Sequence, residues 1–135
     1  MTISKILTDY KVIAVVGCSR DGAKYSNVVA GFMKDAGYRI IPINPVADKI
    51  LGEKAYKSID ELDMAFDIAD VFRPGEEALG ITKTAIAKGA KAIWLQEGIK
   101  SAEAKGYAES KGIEFIQDKC IVNYPRLNVV GFPSC

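Results

Sequence analysis

The amino-acid sequence predicts an α/β protein, a Rossmann-like doubly wound sheet of five parallel strands, forming one domain over residues 1–135. Two observations carry this expectation. Short continuous apolar runs, the pattern of strands buried on both faces, alternate along the chain with longer stretches that place apolar residues at helical spacing. Strands separated by helices cannot pair as hairpins, so they lie parallel, with right-handed crossovers and helices on both faces.

The elements follow in order. Val12 to Val16 (VIAVV) is the first strand, and Ser26 to Ala36 sets Val28, Val29, Phe32 and Met33 at helical spacing, with Gly37 as the stop. Tyr38 to Ile43 is the second strand, where Pro42, lacking a backbone donor, suits the C-terminal tip or an edge. Ser58 stands three residues before Glu61, a capping box for a short helix. Phe66 to Phe72 is the third strand, and Pro74 and Glu76 open a helix carrying Ala78, Leu79, Ile81, Ala85 and Ile86 to Gly89. Lys91 to Leu95 is the fourth strand, Ser101 to Lys111 a helix ended by Gly112, and Ile113 to Ile116 the fifth strand. With the strand order 3-2-1-4-5, the crevice for a ligand falls outside the carboxyl ends of strands one and four. The segments there are GCSRDGAK, NPVADK, RPGEE, QEGIKS and QDKC.

Composition removes whole classes of function. There is no histidine, so neither a Ser-His-Asp nor a Cys-His pair, a histidine metal site or a phosphohistidine is available to these residues. A formal net charge of +1, without a basic run or interleaved aromatics, argues against nucleic acid as a partner. No apolar run is long enough to cross a bilayer, and MTISKILTDYKV lacks the plan of a secretory signal, so the expected location is the cytoplasm. Cys18, Cys120 and Cys135 are odd in number and show no C-x-x-C spacing; no metal site is expected, and reduced thiols are the default.

The first loop draws most attention. Gly17-x-Ser19-x-x-Gly22 is a degraded G-x-G-x-x-G between a strand and a helix, where backbone N–H groups and a helix N-terminus favour phosphate. Ser19 adds a hydroxyl and Lys24 a charge; the plain alternative is a simple turn with a solvated lysine. At the end of the second strand, where NAD-binding domains offer a carboxylate to the ribose, the chain has Asn44-Pro45. A phosphorylated ribose then fits better than NAD, with Arg39, Lys49 and Lys24 as sources of charge, although a plain turn accounts for Asn-Pro equally well. Cys18, beside a helix N-terminus, Arg20 and Lys24, is expected to have a lowered thiol pKa and to form a mixed disulfide with a thiol ligand, with Cys120 as the other candidate.

The series VGCSRDGAKYS, IPINP, LGEKAYKSIDEL, DVFRPGE, KGAKAIWLQEGI and the segment Asp118-Lys119-Cys120-Ile121 resembles the small CoA-binding domain family. It is also similar to the N-terminal domain of the succinyl-CoA synthetase alpha subunit, over about Leu7 to Leu127. The resemblance implies coenzyme A as the cofactor. It assigns Gly17, Cys18 and Ser19 to the turn at the CoA phosphates, Lys24 to the helix entrance, and Asn44 and Pro45 to the path of the adenosine. Val71, Phe72, Arg73 and Pro74 match the wall after the third strand, and Gln96, Glu97 and Gly98 the pantetheine path. From the residues alone, Val71 and Phe72 also suit the core, and Arg73 a surface pair with Glu76 or Glu77. Asp118-Lys119 departs from the Asn or Arg that many members carry there.

In the synthetase the catalytic histidine resides in a domain outside the resemblance, so the expected role is a binding module for CoA or an acyl-CoA: a carrier, a sensor or a regulatory subunit, with no catalytic residue assigned. The expected partners are the CoA ligand itself and another copy of the chain or a partner enzyme subunit; the apolar tail NVVGFPSC suits such a contact. The competing expectation is a small NADP-dependent oxidoreductase or other nucleotide-binding protein, although no Tyr-x-x-x-Lys pair occurs.

Overall fold

The structure is a computed structural model that describes residues 1–124; the tail NVVGFPSC and Cys135 lie outside the described residues. Helix α1 (Ile3–Asp9) precedes strand β1 (Val12–Val16), followed by α2 (Tyr25–Asp35) and β2 (Arg39–Ile43). A small hairpin, β3 (Lys49–Ile50) and β4 (Glu53–Lys54), and a 3-10 turn at Ile59–Glu61 lead to β5 (Ile68–Val71). The chain continues through α3 (Gly75–Ala87), β6 (Ala92–Leu95), α4 (Ala102–Ser110), β7 (Glu114–Ile116) and a 3-10 turn at Ile121–Asn123.

Strands β2-β1-β5-β6-β7 form one parallel sheet, each neighbour in register, as in Val15 with Pro42 on one side and Asp70 on the other. The expected α/β Rossmann-like sheet is therefore present. Both faces are buried, which is why its strands read as unbroken apolar runs. Ile13, Val15, Ile68 and Trp94 pack with Val29 and Met33 of α2 and Ile6 of α1. Val16, Ile43, Val71 and Leu95 pack on the other face with Ala78 and Ala85 of α3 and Ala104 of α4.

The strand order corrects an expectation. The third of the five predicted strands, β5, pairs with β1 and not beyond β2, giving 2-1-3-4-5 in place of 3-2-1-4-5. The outer position beside β2 is held by one residue, Tyr56, whose N–H donates to the Pro42 carbonyl while its own carbonyl accepts from Asn44 N–H. Pro42 is tolerated inside the strand because its donorless nitrogen faces this single outer bridge and not the ladder with β1.

Two elements escape sequence inspection for local reasons. Helix α1 is seven residues long and buries only Ile6 and Leu7, too few for a visible period; Thr2 Oγ1 caps it by accepting from Lys5 N–H. The β3–β4 hairpin turns through Leu51-Gly52, both at positive φ, where Asn-Gly or Asp-Gly would have announced the turn. The hairpin is tied to α2 by Lys34, whose ammonium donates to the Leu51 carbonyl and pairs with Glu53 at 2.9 Å. The expected capping box is not formed: Ser58 makes no side-chain cap bond, and Glu61 reaches past it to accept from Lys57 N–H at 2.6 Å.

Candidate functional site

The carboxyl ends of β1 and β2 open into a cleft of about 650 Å³ on the α3 face of the sheet. Its floor is Val16 and Ile43; one wall is Asn44, Pro45 and Val46, another the 57–60 segment, and the third Arg73 with Glu77, Gly80, Ile81 and Thr84 of α3. A cleft of this size outside the carboxyl ends of parallel strands is where doubly wound sheets place ligands.

Asn44 builds the junction between the first two walls. Its side-chain amide donates to the Cys18 carbonyl, and its oxygen accepts from Val46 and Ala47 N–H, each at 2.9 Å. An aspartate there would lose the donor and set a charge against a carbonyl oxygen, so the missing strand-two carboxylate has a structural cause as well as a consequence for ligands.

The loop after β1 is stitched from within. Gly17 and Cys18 N–H both donate to the Ile43 carbonyl at 3.1 Å, and Ser19 N–H donates to Ser26 Oγ at 2.9 Å. Ser19 Oγ accepts from Asp21 N–H, and Asn27 Nδ2 donates to the Ser19 carbonyl. The backbone donors expected to cradle phosphate in the Gly17–Ser19 turn are thus already engaged. Gly17, at φ +83°, also leaves space that a side chain would fill: a Cβ there would lie 2.9 Å from Arg73 Cδ. The Arg73 stem therefore crosses directly over the turn. Its guanidinium is held by Glu77 through two bonds, Nε to Oε1 at 3.2 Å and Nη2 to Oε2 at 2.7 Å. This pairing, chiefly its hydrogen bonds, raises the Arg73 pKa and lowers that of Glu77.

The candidate residues divide between two places. Gly17, Ser19, Asn44, Pro45 and Arg73 come together around the cleft. Cys18 and Val71 are fully buried, and Phe72 packs into the α2-side core. Pro74 is the N-cap position of α3, and Lys24, at the N-cap of α2, makes no side-chain cap bond. Gln96 is buried, its oxygen accepting from Ile121 N–H and its nitrogen 3.8 Å from Cys120 Sγ. Glu97 is exposed, and Gly98 N–H donates to Asp118 Oδ1 at 2.7 Å, which with Lys100 holds the Asp118 pKa low. The loop after β6 is thereby tied to the loop after β7, outside the residues lining the cleft. Arg39 opens β2 and so stands at the opposite end of the sheet from the cleft, correcting its assignment as a nearby charge. Among the described residues, the basic side chains lining the cleft are Lys57 and Arg73. Lys57, Ile81 and Thr84 carried no signal in the sequence, because their approach depends on how the 57–60 segment and α3 dock.

Beneath the first loop, on the α2 face, lies a closed polar cluster. Asp70 is fully buried in β5 between Val15 and Trp94, and its carboxyl oxygens have no hydrogen-bond partner among the described residues. Burial pushes its pKa well above the ordinary value. Cys18, with its sulfur 3.9 Å from the Ser19 and Ser26 carbonyls, is pushed up to about 12 by burial and by Asp70. The expected low-pKa thiol is therefore corrected: desolvation and a neighbouring acid outweigh the helix N-terminus and the exposed cations. Cys18 is a free thiol.

Sheet order and cleft define a Rossmann-like domain of the nucleotide-binding type. More specifically, the chain belongs to the CoA-binding domain family, whose model matches residues 11–124. It is 41% identical over 119 residues to the uncharacterized protein YneT of Bacillus subtilis, covering 88% of each chain. It is 30% identical over 132 residues to the ADP-forming acetate–CoA ligase of Methanocaldococcus jannaschii, covering 97% of this chain but 18% of the ligase. A solved hypothetical protein from Pyrococcus horikoshii superposes with a TM-score of 0.86 at 31% identity, over 90% of this chain and 85% of that one. The relation to CoA ligases noticed in the sequence is thus established. Among the described residues, no helix is long and apolar enough to cross a membrane.

Proposed function

We propose that this chain is a binding module for coenzyme A or an acyl-CoA, held in the cleft between the loops after β1 and β2 and the start of α3. The observation that supports this most is the convergence of Gly17, Ser19, Asn44, Pro45 and Arg73 on one cleft in a member of the CoA-binding domain family. The apolar floor and the Ile59 and Ile81 flanks suit an adenosine or pantetheine surface, and Lys57 and Arg73 suit its phosphates. Asn44 in place of a carboxylate removes the repulsion that a ribose phosphate would meet.

The role is binding without ligase chemistry of its own. These 135 residues include no histidine and so cannot form a phosphohistidine, and the match to the ligase covers 18% of that protein. Carrier, sensor and regulatory subunit are the forms such a module takes. Calorimetry with CoA, dephospho-CoA, NAD and NADP tests the proposal. CoA is expected to bind more tightly than NAD, and dephospho-CoA more weakly than CoA; NAD binding as strong as CoA binding overturns it, and a preference for NADP turns it toward an oxidoreductase.

A further inference from the structure

Among the described residues, the charged side chains lining the cleft balance in number: Lys57 and Arg73 stand with Asp60 and Glu77. A diphosphate therefore meets no excess of cationic side chains in the described lining. The turn beneath it also has few backbone donors to offer, since Gly17 and Cys18 N–H serve the Ile43 carbonyl and Ser19 N–H serves Ser26. The cationic group set against that turn is Arg73, whose stem crosses Gly17 and whose guanidinium is occupied by Glu77.

We infer that the Arg73–Glu77 pair is a displaceable latch: Glu77 holds the guanidinium in the empty cleft, and a ligand diphosphate takes its place. The exchange replaces the two oxygens of a carboxylate with two oxygens of a phosphate group, each a two-pronged partner for the guanidinium fork, which suits arginine and not lysine. Letting go is inexpensive for Glu77. Both side chains are nearly half exposed, at 49% and 43%, so the pair itself is weak, and Glu77 in the first turn of α3 keeps the favourable field of the helix N-terminus. The latch also makes a diphosphate a better ligand than a neutral molecule of the same shape, because only an anion repays the broken pair. This inference rests on the CoA proposal and deepens it.

The experiment is a double-mutant cycle read by calorimetry with CoA at fixed ionic strength, on the full chain, Glu77→Gln, Arg73→Gln and the double variant. Melting temperatures confirm that each is folded, and Glu77→Ala serves as a second removal of the carboxylate. Glu77→Gln is expected to tighten CoA binding about two- to fivefold, the equivalent of an exposed ion pair, and to give no gain when Arg73 is already Gln. Unchanged or weaker binding by both Glu77 variants, with the unaltered chain still binding CoA, overturns the latch and leaves the CoA proposal standing. An equal gain with and without Arg73 also overturns it, since Glu77 then acts by general repulsion. Failure of all four proteins to bind CoA overturns both.

Discussion

The carboxyl end of the sheet has two sides, and they have opposite characters. On the α3 side, small and polar residues from three loops stand apart and leave a cleft; on the α2 side, Cys18, Asp70, Gln96 and Cys120 are fully or nearly fully buried. Both sides carry polar groups in loops that the sequence marks as candidates. What separates them is closure: α2 and the 3-10 turn at Ile121–Asn123 pack over one side, while on the other α3 forms one wall of an open cleft. Polar chemistry at a sheet's carboxyl end thus indicates a binding site only where the adjoining helix leaves room for one. The sealed side instead contains an acid that destabilises its own surroundings when charged.

The sharpest test of that contrast is the pH dependence of stability. The folded pKa of Asp70 lies above its unfolded value near 3.8, so the folded state holds the proton longer. Stability is then lost as pH rises from that value through the folded pKa, at up to about 1.4 kcal/mol per pH unit. Cys18 acts with the same sign from its unfolded value of 9.0 up to about 12. Urea unfolding at several pH values should show this decline in the wild type and its loss below pH 9 in Asp70→Asn. Parallel profiles for the two proteins would mean that Asp70 is not the buried acid described above.

Gly17 borders both sides, and its substitution should damage both. Gly17→Ala places a side chain at φ +83° and forces Arg73 aside, with an expected loss of about 1–3 kcal/mol in stability, read by urea unfolding, together with weaker CoA binding. A variant of normal stability would show that the Arg73 stem yields freely.

On the open side alone, Arg73→Gln should weaken CoA binding without lowering the melting temperature appreciably. A hydrogen bond to a charged group is worth about 1.5–3 kcal/mol, and the Glu77 pair given up about 0.2–1, so the net expected loss is about 0.5–3 kcal/mol. Lys24→Ala, at an exposed position outside the cleft lining, should cost less than Arg73→Gln in the same titration. A larger effect at Lys24 would move the phosphate site toward the N-terminus of α2.

The smallest expected change is at Cys18. Buried and with its pKa at about 12, it should resist alkylation and CoA disulfide in the native protein and react only after unfolding, as peptide mapping by mass spectrometry would show. Rapid native labelling at Cys18 would mean that the sealed side opens.

Much of the architecture is legible in the chain because it rests on local pattern. Val12 to Val16, AIWL at 92–95 and the α2 and α3 segments announce themselves through runs and periods that a neighbour of any kind would leave unchanged. Gly17 marks a turn, and the lack of histidine excludes chemistry, whatever the fold does with the rest. The order of the strands is a different matter. Pairing β5 with β1 and leaving Tyr56 as the outer neighbour of β2 is a choice between partners far apart in sequence, and an apolar strand buried on both faces fits either place equally well. The site divides along the same line. Ser19, Asn44 and Arg73 could be named as candidates from their loops, but Lys57 and Glu77 face the cleft, and Gln96 does not, because of how helices and turns dock on the sheet. Asp70 shows the reason most directly. An aspartate in DIADVF has the same composition whether it meets water or a sealed core, and only the packing of Val15, Trp94 and Cys18 around it settles whether it is a solvated carboxylate or a buried acid.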